Sequence, residues 1–566
     1  MRKAPSTVLR LGMAAAFAGV LFMNSESRIH AQPARAHSDS ATHAGLKTLR
    51  LDYFVGSNGK LATTLDPAIV TSAGAADEIA LTDSLLVYIG ADDKVHNGLA
   101  SKVTVSSNHK VYTFFIRKNA RYADGHYVKA SDVIFAIKVA LDPKTASPVG
   151  PAYLDAIKGA TEFTAGKASS VSGLKAIGAR ELRVTIVKPF AYFLKEFTYP
   201  TAAPLDPAIM RNKVRTATGN FLSSNCPGNR AGAGPFTYVC YGSNFSPSGR
   251  TPSYTLGPNK YYYCAKPHIR INQPAISTGD IGYKAYLAGS IDTSGIPSAF
   301  LSQYKGKHNP QFHTAATSAV GYLTPNTKSA PFSDVHCRLA LAYGLDRNTL
   351  VNKVLHGAPH TTYSVVPPGF LGFYSGADNP HYNLAKAKAE LNQCSLKSTP
   401  VTLSYNTGSS DADNLAGAEV QMMNAVGFNA KTKPLSVDDW ANAVGEDLSK
   451  TNTQLIRNGW QQDYPDPQDY VEQLLDCGQN YDIGGWCNSS FTALNAKADV
   501  ETNTKVRAAM YRKPQHIALS QGAWISLDYG VGHFLIKNYV HGLTASVAYA
   551  DLVPVNYDWS KVSVGK

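Results

Sequence analysis

The sequence predicts a mixed α/β fold built from several domains' worth of chain, and three observations carry that reading. β-forming runs and amphipathic helical runs alternate along the chain without a clean internal repeat. Hydrophobic residues make up 44% and charged residues 17%, a balance that suits a packed globular protein and excludes wholesale disorder. The 566 residues exceed a typical domain of about 150 several-fold. No low-complexity linker divides them, so the domains are expected to interleave rather than follow one another as beads.

The elements are read in order. Leu49 to Val55 is a strand, broken at Thr64-Leu65-Asp66-Pro67-Ala68, and a helical stretch runs from Ala75 to Val87. Val103 to Arg117 alternates around a Ser-Ser-Asn-His turn and predicts a hairpin. After the Ala123-Asp124-Gly125 turn, Ser131 is expected as the N-cap of a helix with Val133, Ile134, Ile137 and Ala140 on one face; Asp142-Pro143 ends it. Leu182 to Val187 is a strand, and Gly234-Pro235 turns into another through Val239. Two helical runs follow, Asp334 to Tyr343 and Asp346 to Leu355, with Gly357 near the end of the second. A lysine-alanine helix spans Asn383 to Leu391, Val401 to Tyr405 is a strand, and a long helix covers Asn414 to Val426.

The first residues predict a targeting segment. Arg2, Lys3 and Arg10 precede the uncharged 13-residue stretch Leu11 to Met23, which is short for a membrane span and suited to a signal-peptide core. Ala34-Arg35-Ala36 offers the small residues of a cleavage site, so residues 1–36 are expected to be removed. That takes away five basic residues and one acidic, lowering the formal charge from +13 to about +9. The remaining excess is spread thinly and does not point to nucleic acid. The first cysteine is Cys226, so a lipid-anchored cysteine after the apolar stretch is missing; an exported, soluble protein is expected, periplasmic or extracellular. No second long apolar run supports a polytopic membrane protein.

Seven cysteines in so long a chain exclude a disulfide-built mini-scaffold. Cys226–Cys240 and Cys477–Cys487 are spaced to close short loops and are the disulfide candidates. Neither pair has the C-x2-C spacing or histidine partners of a metal site. Cys264, Cys337 and Cys394 are left over, and Cys337, on an apolar helical face, is expected as a buried inert thiol. His356 and His360 are four apart, but Gly357 and Pro359 between them break the helix that a two-histidine metal face needs.

Six stretches resemble, in order, one family. They are Thr64 to Ala68; the block from Tyr112 to Pro143, with its Phe-x-x-Arg strand, Asp-Gly turn and Ala-Ser-Asp-Val helix start; GAGPFTY with PNKYYY, from Gly232 and Pro258; Leu-Ala-Gly-Ser-Ile-Asp from Leu287; Cys337 to Gly369; and Gly459 to Leu475. This order resembles the extracellular solute-binding proteins of peptide and nickel ABC importers, solute-binding family 5. The resemblance implies a two-lobed periplasmic-binding-protein fold, type II and cluster C-like, with an extra inserted domain. Carried onto this chain, lobe I would comprise 48–81, 206–272 and 528–566, the insert 82–205, and lobe II 273–527. Ligand would lie between hinged lobes.

In peptide-binding members the acid of the Trp-x-x-Asp-Tyr motif pairs with the ligand's α-ammonium. Here the resemblance places that role on Asp463, with Trp460 as an apolar wall and Tyr464 beside it. The plainer alternative makes Asp463 and Asp466-Pro467 a turn and Trp460 ordinary core. A partner for the ligand carboxylate is not placed; Arg457 lies near the motif but could equally face solvent from a strand. The implied function is capture of short peptides by a monomer and delivery to membrane permease subunits, with no cofactor and no catalysis. The same family also contains binders of nickel complexes, haem and oligosaccharides. A secreted hydrolase is the remote alternative: Gly-x-Ser-x-Gly and His-Glu-x-x-His are absent, and Asp292-Thr293-Ser294-Gly295 occurs once.

Overall fold

The computed structural model describes residues 45–51, 53–54, 66–71, 73–207, 232–238, 253–276, 278–479, 481–545, 552–555 and 558–565. The 1–36 segment and the Cys226–Cys240 pair lie outside the described residues. Three sheets set the architecture. The first runs in the order Lys47–Arg50, Ile269–Ile276, Ser253–Pro258, Phe236–Tyr238, with Tyr53–Phe54 also on the Ile269–Ile276 strand. Leu49 pairs in parallel with Ile271, and both are fully buried with Phe236, Leu256, Tyr153 and Tyr464.

The second sheet is the expected hairpin plus two strands, in the order Ala100–Val105, Val111–Ile116, Glu181–Thr185, Leu174–Ile177. Thr104 lies opposite Thr113, and His109 takes the left-handed turn conformation at φ 54°. The helix Ala130–Leu141 buries Val133, Ile137 and Ala140 against this sheet. Its N-cap is Lys129 rather than the expected Ser131. Asp132, three residues on, accepts from the Lys129 backbone N–H at 2.8 Å, so the acid that closes the cap sets the start and Ser131 falls inside the first turn.

The third sheet orders Thr293–Gly295, Ile525–Ile536, Phe312–Pro325, Leu455–Trp460, Val401–Asn406 and Ala430–Leu435, with His360–Thr361 beside Ile525–Ile536. Val401–Asn406 is parallel to both its neighbours, which requires crossover connections. The helix Ser410–Val426 supplies one, capped by Ser409 Oγ accepting from the Ala412 N–H at 3.2 Å. It starts four residues before the expected Asn414 because Asp411 and Asp413 are a favourable acidic first turn rather than loop. Strand alternation sends Leu323 to a core with Leu341, Leu403 and Leu455, and Tyr322 to the opposite core with Tyr470, Tyr511 and Trp524. Ile525 and Leu527 belong to the first of these cores, but Ile536 packs in the core of the first sheet. One continuous strand thus runs from one packed body to another.

Cys477–Cys487 forms a disulfide, as expected. Cys337 departs from expectation: it is disulfide-bonded to Cys394, 57 residues away, which follows the helix Leu384–Gln393 packed beside the Val335–Gly344 helix. The expectation of an inert thiol is therefore corrected, and Cys264 is the free, exposed cysteine among the described residues. Loop-closure entropy grows with separation, so removing Cys337–Cys394 by double alanine substitution should cost about 4 kcal/mol and removing Cys477–Cys487 about 3 kcal/mol. Denaturant midpoints of the two double variants check the order. Among the described residues no helix is long and apolar enough to cross a membrane.

Candidate functional site

The Leu455–Trp460 strand ends where the predicted motif begins, and the chain then turns through Gln461 to Pro465 into the helix Pro467–Leu475. Asp466 is the N-cap, its Oδ1 accepting from the Gln468 N–H at 3.0 Å, and Pro467 occupies the first helical position where its missing N–H costs nothing. Both Asp466 oxygens also accept from Arg507 Nη1 at 2.7 Å, and Lys195 Nζ donates to Oδ2 at 2.8 Å. Burial pushes this carboxyl up, but Lys195 and Arg507 outweigh burial and hold it below the ordinary range. Asp466 is an ion-paired cap.

Asp463 is placed differently. Its Oδ2 accepts a hydrogen bond from the Tyr153 hydroxyl, and no Lys, Arg or His among the described residues pairs with it. Burial pushes the carboxyl up to about 7 against the lowering effect of Tyr153. Asp469, in the first turn of the helix, reaches back: its Oδ2 accepts from the Asp463 backbone N–H at 3.0 Å and from Trp460 Nε1 at 3.1 Å. One carboxylate oxygen thus fixes both the strand-end tryptophan and the backbone of Asp463, and the other oxygen, Oδ1, is buried without a hydrogen bond. Trp460 is half-buried and meets Tyr481 edge-on at 4.8 Å between ring centres. Tyr464 is 0% exposed; its ring packs against Tyr153 at 5.5 Å and its hydroxyl donates to Gln468 Oε1, so it supports the turn from within the core.

The structure therefore brings Asp463 and Trp460 together around Asp469 and sets Tyr464 behind them. It adds residues that sequence reading missed. Tyr153 comes from the helix Gly150–Leu154, and Gln462 Nε2 donates to Asp93 Oδ1 at 2.5 Å, both partners lying more than 300 residues from the motif. Asp469 left a legible signal, since an acid two residues beyond an Asp-Pro helix start belongs to the first turn. Arg457 does not face open solvent: Nη1 donates to Glu419 Oε1 at 2.6 Å and Nη2 to Asp528 Oδ2 at 3.4 Å. Among the described residues the group with metal-ligand character is Asp124, His126 and Asp206, to which neither His356 nor His360 belongs. A half-buried carboxyl with no cation beside it among the described residues, next to an aromatic ring, has the chemistry to take an ammonium group as its counter-charge.

Comparison with known proteins places this geometry in a family. Residues 94–482 match the model described as bacterial extracellular solute-binding proteins, family 5. The chain is 28% identical over 478 residues to the oligopeptide-binding protein OppA of Bacillus subtilis, covering 81% of this chain and 84% of that one. It is 26% identical over 517 residues to the periplasmic OppA of Escherichia coli, covering 88% and 91%. A solved complex of Haemophilus influenzae OppA with the peptide RPPGFSPFR shares the fold at TM-score 0.78 and 20% identity, over 92% of this chain and 99% of that one. The unliganded open form of the murein tripeptide-binding protein MppA matches at TM-score 0.63 and 23% identity, over 92% and 98%. With its two-lobed α/β architecture and a family match spanning most of its length, this chain belongs to the bacterial extracellular solute-binding proteins of family 5.

Proposed function

We propose that this protein is the exported binding component of a peptide importer, a non-catalytic monomer that captures short peptides between its lobes and presents them to membrane permease subunits. The observation that carries the reading is Asp463: a carboxyl held in the turn that follows a strand, raised to about 7 by burial, with Tyr153 but no cation among the described residues beside it. A peptide α-ammonium supplies the missing charge, and Trp460 covers the first residue. Relatives named for oligopeptide binding support the cargo. The arrangement is nearer to the peptide complex, at TM-score 0.78, than to the open form at 0.63, which supports a closed, ligand-ready state.

Lobe I is assigned to 48–81, 206–272 and 528–566, the insert to 82–205 and lobe II to 273–527. The last crossing then falls inside the continuous strand Ile525–Ile536. Asp463, Trp460 and Asp469 come from lobe II, and Tyr153 and Asp93 from the insert. Native mass spectrometry on residues 37–566, purified without denaturation, tests the cargo. A ladder of adducts that sequence as short mixed peptides is expected. A single discrete mass, a metal or a haem would overturn the peptide reading.

A further inference from the structure

Arg347 opens the Arg347–Thr349 helical turn and is 3% exposed, yet among the described residues it belongs to no ion pair. Its guanidinium is held by neutral oxygens instead. Nε donates to the Ser526 carbonyl at 2.6 Å, and Nη1 to the Ala342 and Leu345 carbonyls at 3.3 Å. The Tyr363 ring centre lies 4.6 Å from Cζ, with the Tyr363 hydroxyl also beside the guanidinium. Asp346 is next in the chain but is occupied with the turn: its Oδ1 accepts from the Asn348 and Thr349 N–H groups and its Oδ2 from the Thr349 hydroxyl. Burial lowers Arg347 only to about 10, so a full positive charge stays inside the protein at neutral pH with no counter-charge in contact.

A cavity lies at this charge, and Ser526, Tyr363, Asn379, Leu519 and Trp524 are among the residues that line it with Arg347. It has room for a guest about the size of one water. Ile525 and Leu527 turn into the core of Leu403 and Leu455, so strand alternation sends Ser526 to the opposite face, where Trp524 also packs. Ser526 is 2% exposed, and its Oγ is buried with no hydrogen bond. The amide on the wall is already engaged: Asn379 Nδ2 donates to the Tyr363 carbonyl at 2.7 Å and to the Tyr374 hydroxyl, and its Oδ1 meets His516 Nδ1 at 3.1 Å. Among the described residues no acidic side chain lines the cavity. A charged donor and an unmatched hydroxyl thus face one small space. We infer that the cavity binds a small monovalent anion of chloride's size, held by the Arg347 guanidinium and the Ser526 hydroxyl. Water would satisfy the hydroxyl but leave the charge, whereas an anion accepts from both and neutralises it. Phosphate and carboxylate groups exceed the space. The site stands independently of the peptide reading.

Crystals grown with bromide in place of chloride test the site, because bromide scatters anomalously. An anomalous peak between Arg347 and Ser526 is expected. In solution, chloride replacing gluconate at constant ionic strength should raise the melting temperature saturably, by roughly 1–3 °C for so long a chain. Ser526→Ala should move the half-saturating chloride concentration at least about threefold upward, and Arg347→Met should abolish the dependence. Should Arg347→Met not fold, Ser526→Ala, which removes only an unbonded hydroxyl, carries the comparison alone. A cavity without an anomalous peak holds water and would overturn the site. A peak without saturable stabilisation marks binding at crystal concentration only and would overturn it too, as would a chloride dependence unchanged in the variants that fold.

Discussion

Asp463→Ala is expected to weaken peptide binding by roughly one and a half to three and a half orders of magnitude while leaving the protein folded. The size follows from leaving a desolvated ammonium without its counter-charge, about 2–5 kcal/mol, at 1.4 kcal/mol per tenfold. The pH dependence is equally specific. Burial holds the ligand-free carboxyl at about 7, so below that value the site is protonated before peptide arrives. Binding an ammonium then requires release of one proton, and affinity falls by up to about tenfold per pH unit below 7. Asp463→Asn should reduce that slope, leaving what the buried Asp469, itself raised by burial and by Asp463, contributes. Stability of the ligand-free protein moves the other way. An unfolded aspartic acid ionises near 3.8, so between about 4 and 7 the folded state binds more protons and stability falls as the pH rises. Asp463→Asn should flatten that fall, too. Isothermal titration and thermal melts at pH 5, 6, 7 and 8 read both effects; unchanged affinity in the alanine variant would remove Asp463 from the site.

What was legible in the sequence divides along the length scale of the interactions. Local pattern found the Val103–Arg117 hairpin and the 335–344 and 384–393 helices, because alternation, caps and apolar faces are set within a few residues. The helix at 410–426 was found but started late, since acidic first-turn residues read as loop until the dipole is considered. The motif placed Asp463 and Trp460 together through resemblance. What surrounds them was not legible. Tyr153, Asp93 and Asp528 arrive through tertiary packing, and no spacing in the chain records those contacts. Cys337 failed for the same reason: a thiol on an apolar helical face looks inert until the helix carrying its partner packs beside it.

The largest stability effect is expected at Arg507. Its side chain is almost wholly buried, donates to both oxygens of Asp466 at 2.7 Å, and also bonds the Tyr511 hydroxyl and the Ala498 carbonyl. Around it burial pushes Asp499 up to about 6 and raises Glu472 and Glu196, so the guanidinium and Lys195 are the cations of an acidic interior. The same cluster joins distant parts of the chain: Lys195 Nζ also donates to the Pro465 carbonyl at 2.8 Å, and the Ala191 N–H to the Asp499 carbonyl at 2.9 Å. Replacing a buried pair wholesale by apolar groups is often neutral, but removing one partner strands the other charge and costs about 3–5 kcal/mol. Arg507→Met should therefore lower the unfolding free energy read from denaturant titration by that amount at pH 7. Asp466 has its folded ionisation below the ordinary 3.8, so its contribution is present above that pH and is lost as the pH falls through the depressed value. The deficit of Arg507→Met should accordingly shrink in acid. Arg507→Lys keeps the charge but not the planar fork and should recover only part of the loss. Added salt should leave the deficit nearly unchanged, because a buried pair is poorly screened. A deficit below about 1 kcal/mol, or one that salt abolishes, would mean that solvent reaches the cluster or that Lys195 and the cap hold Asp466 without the guanidinium.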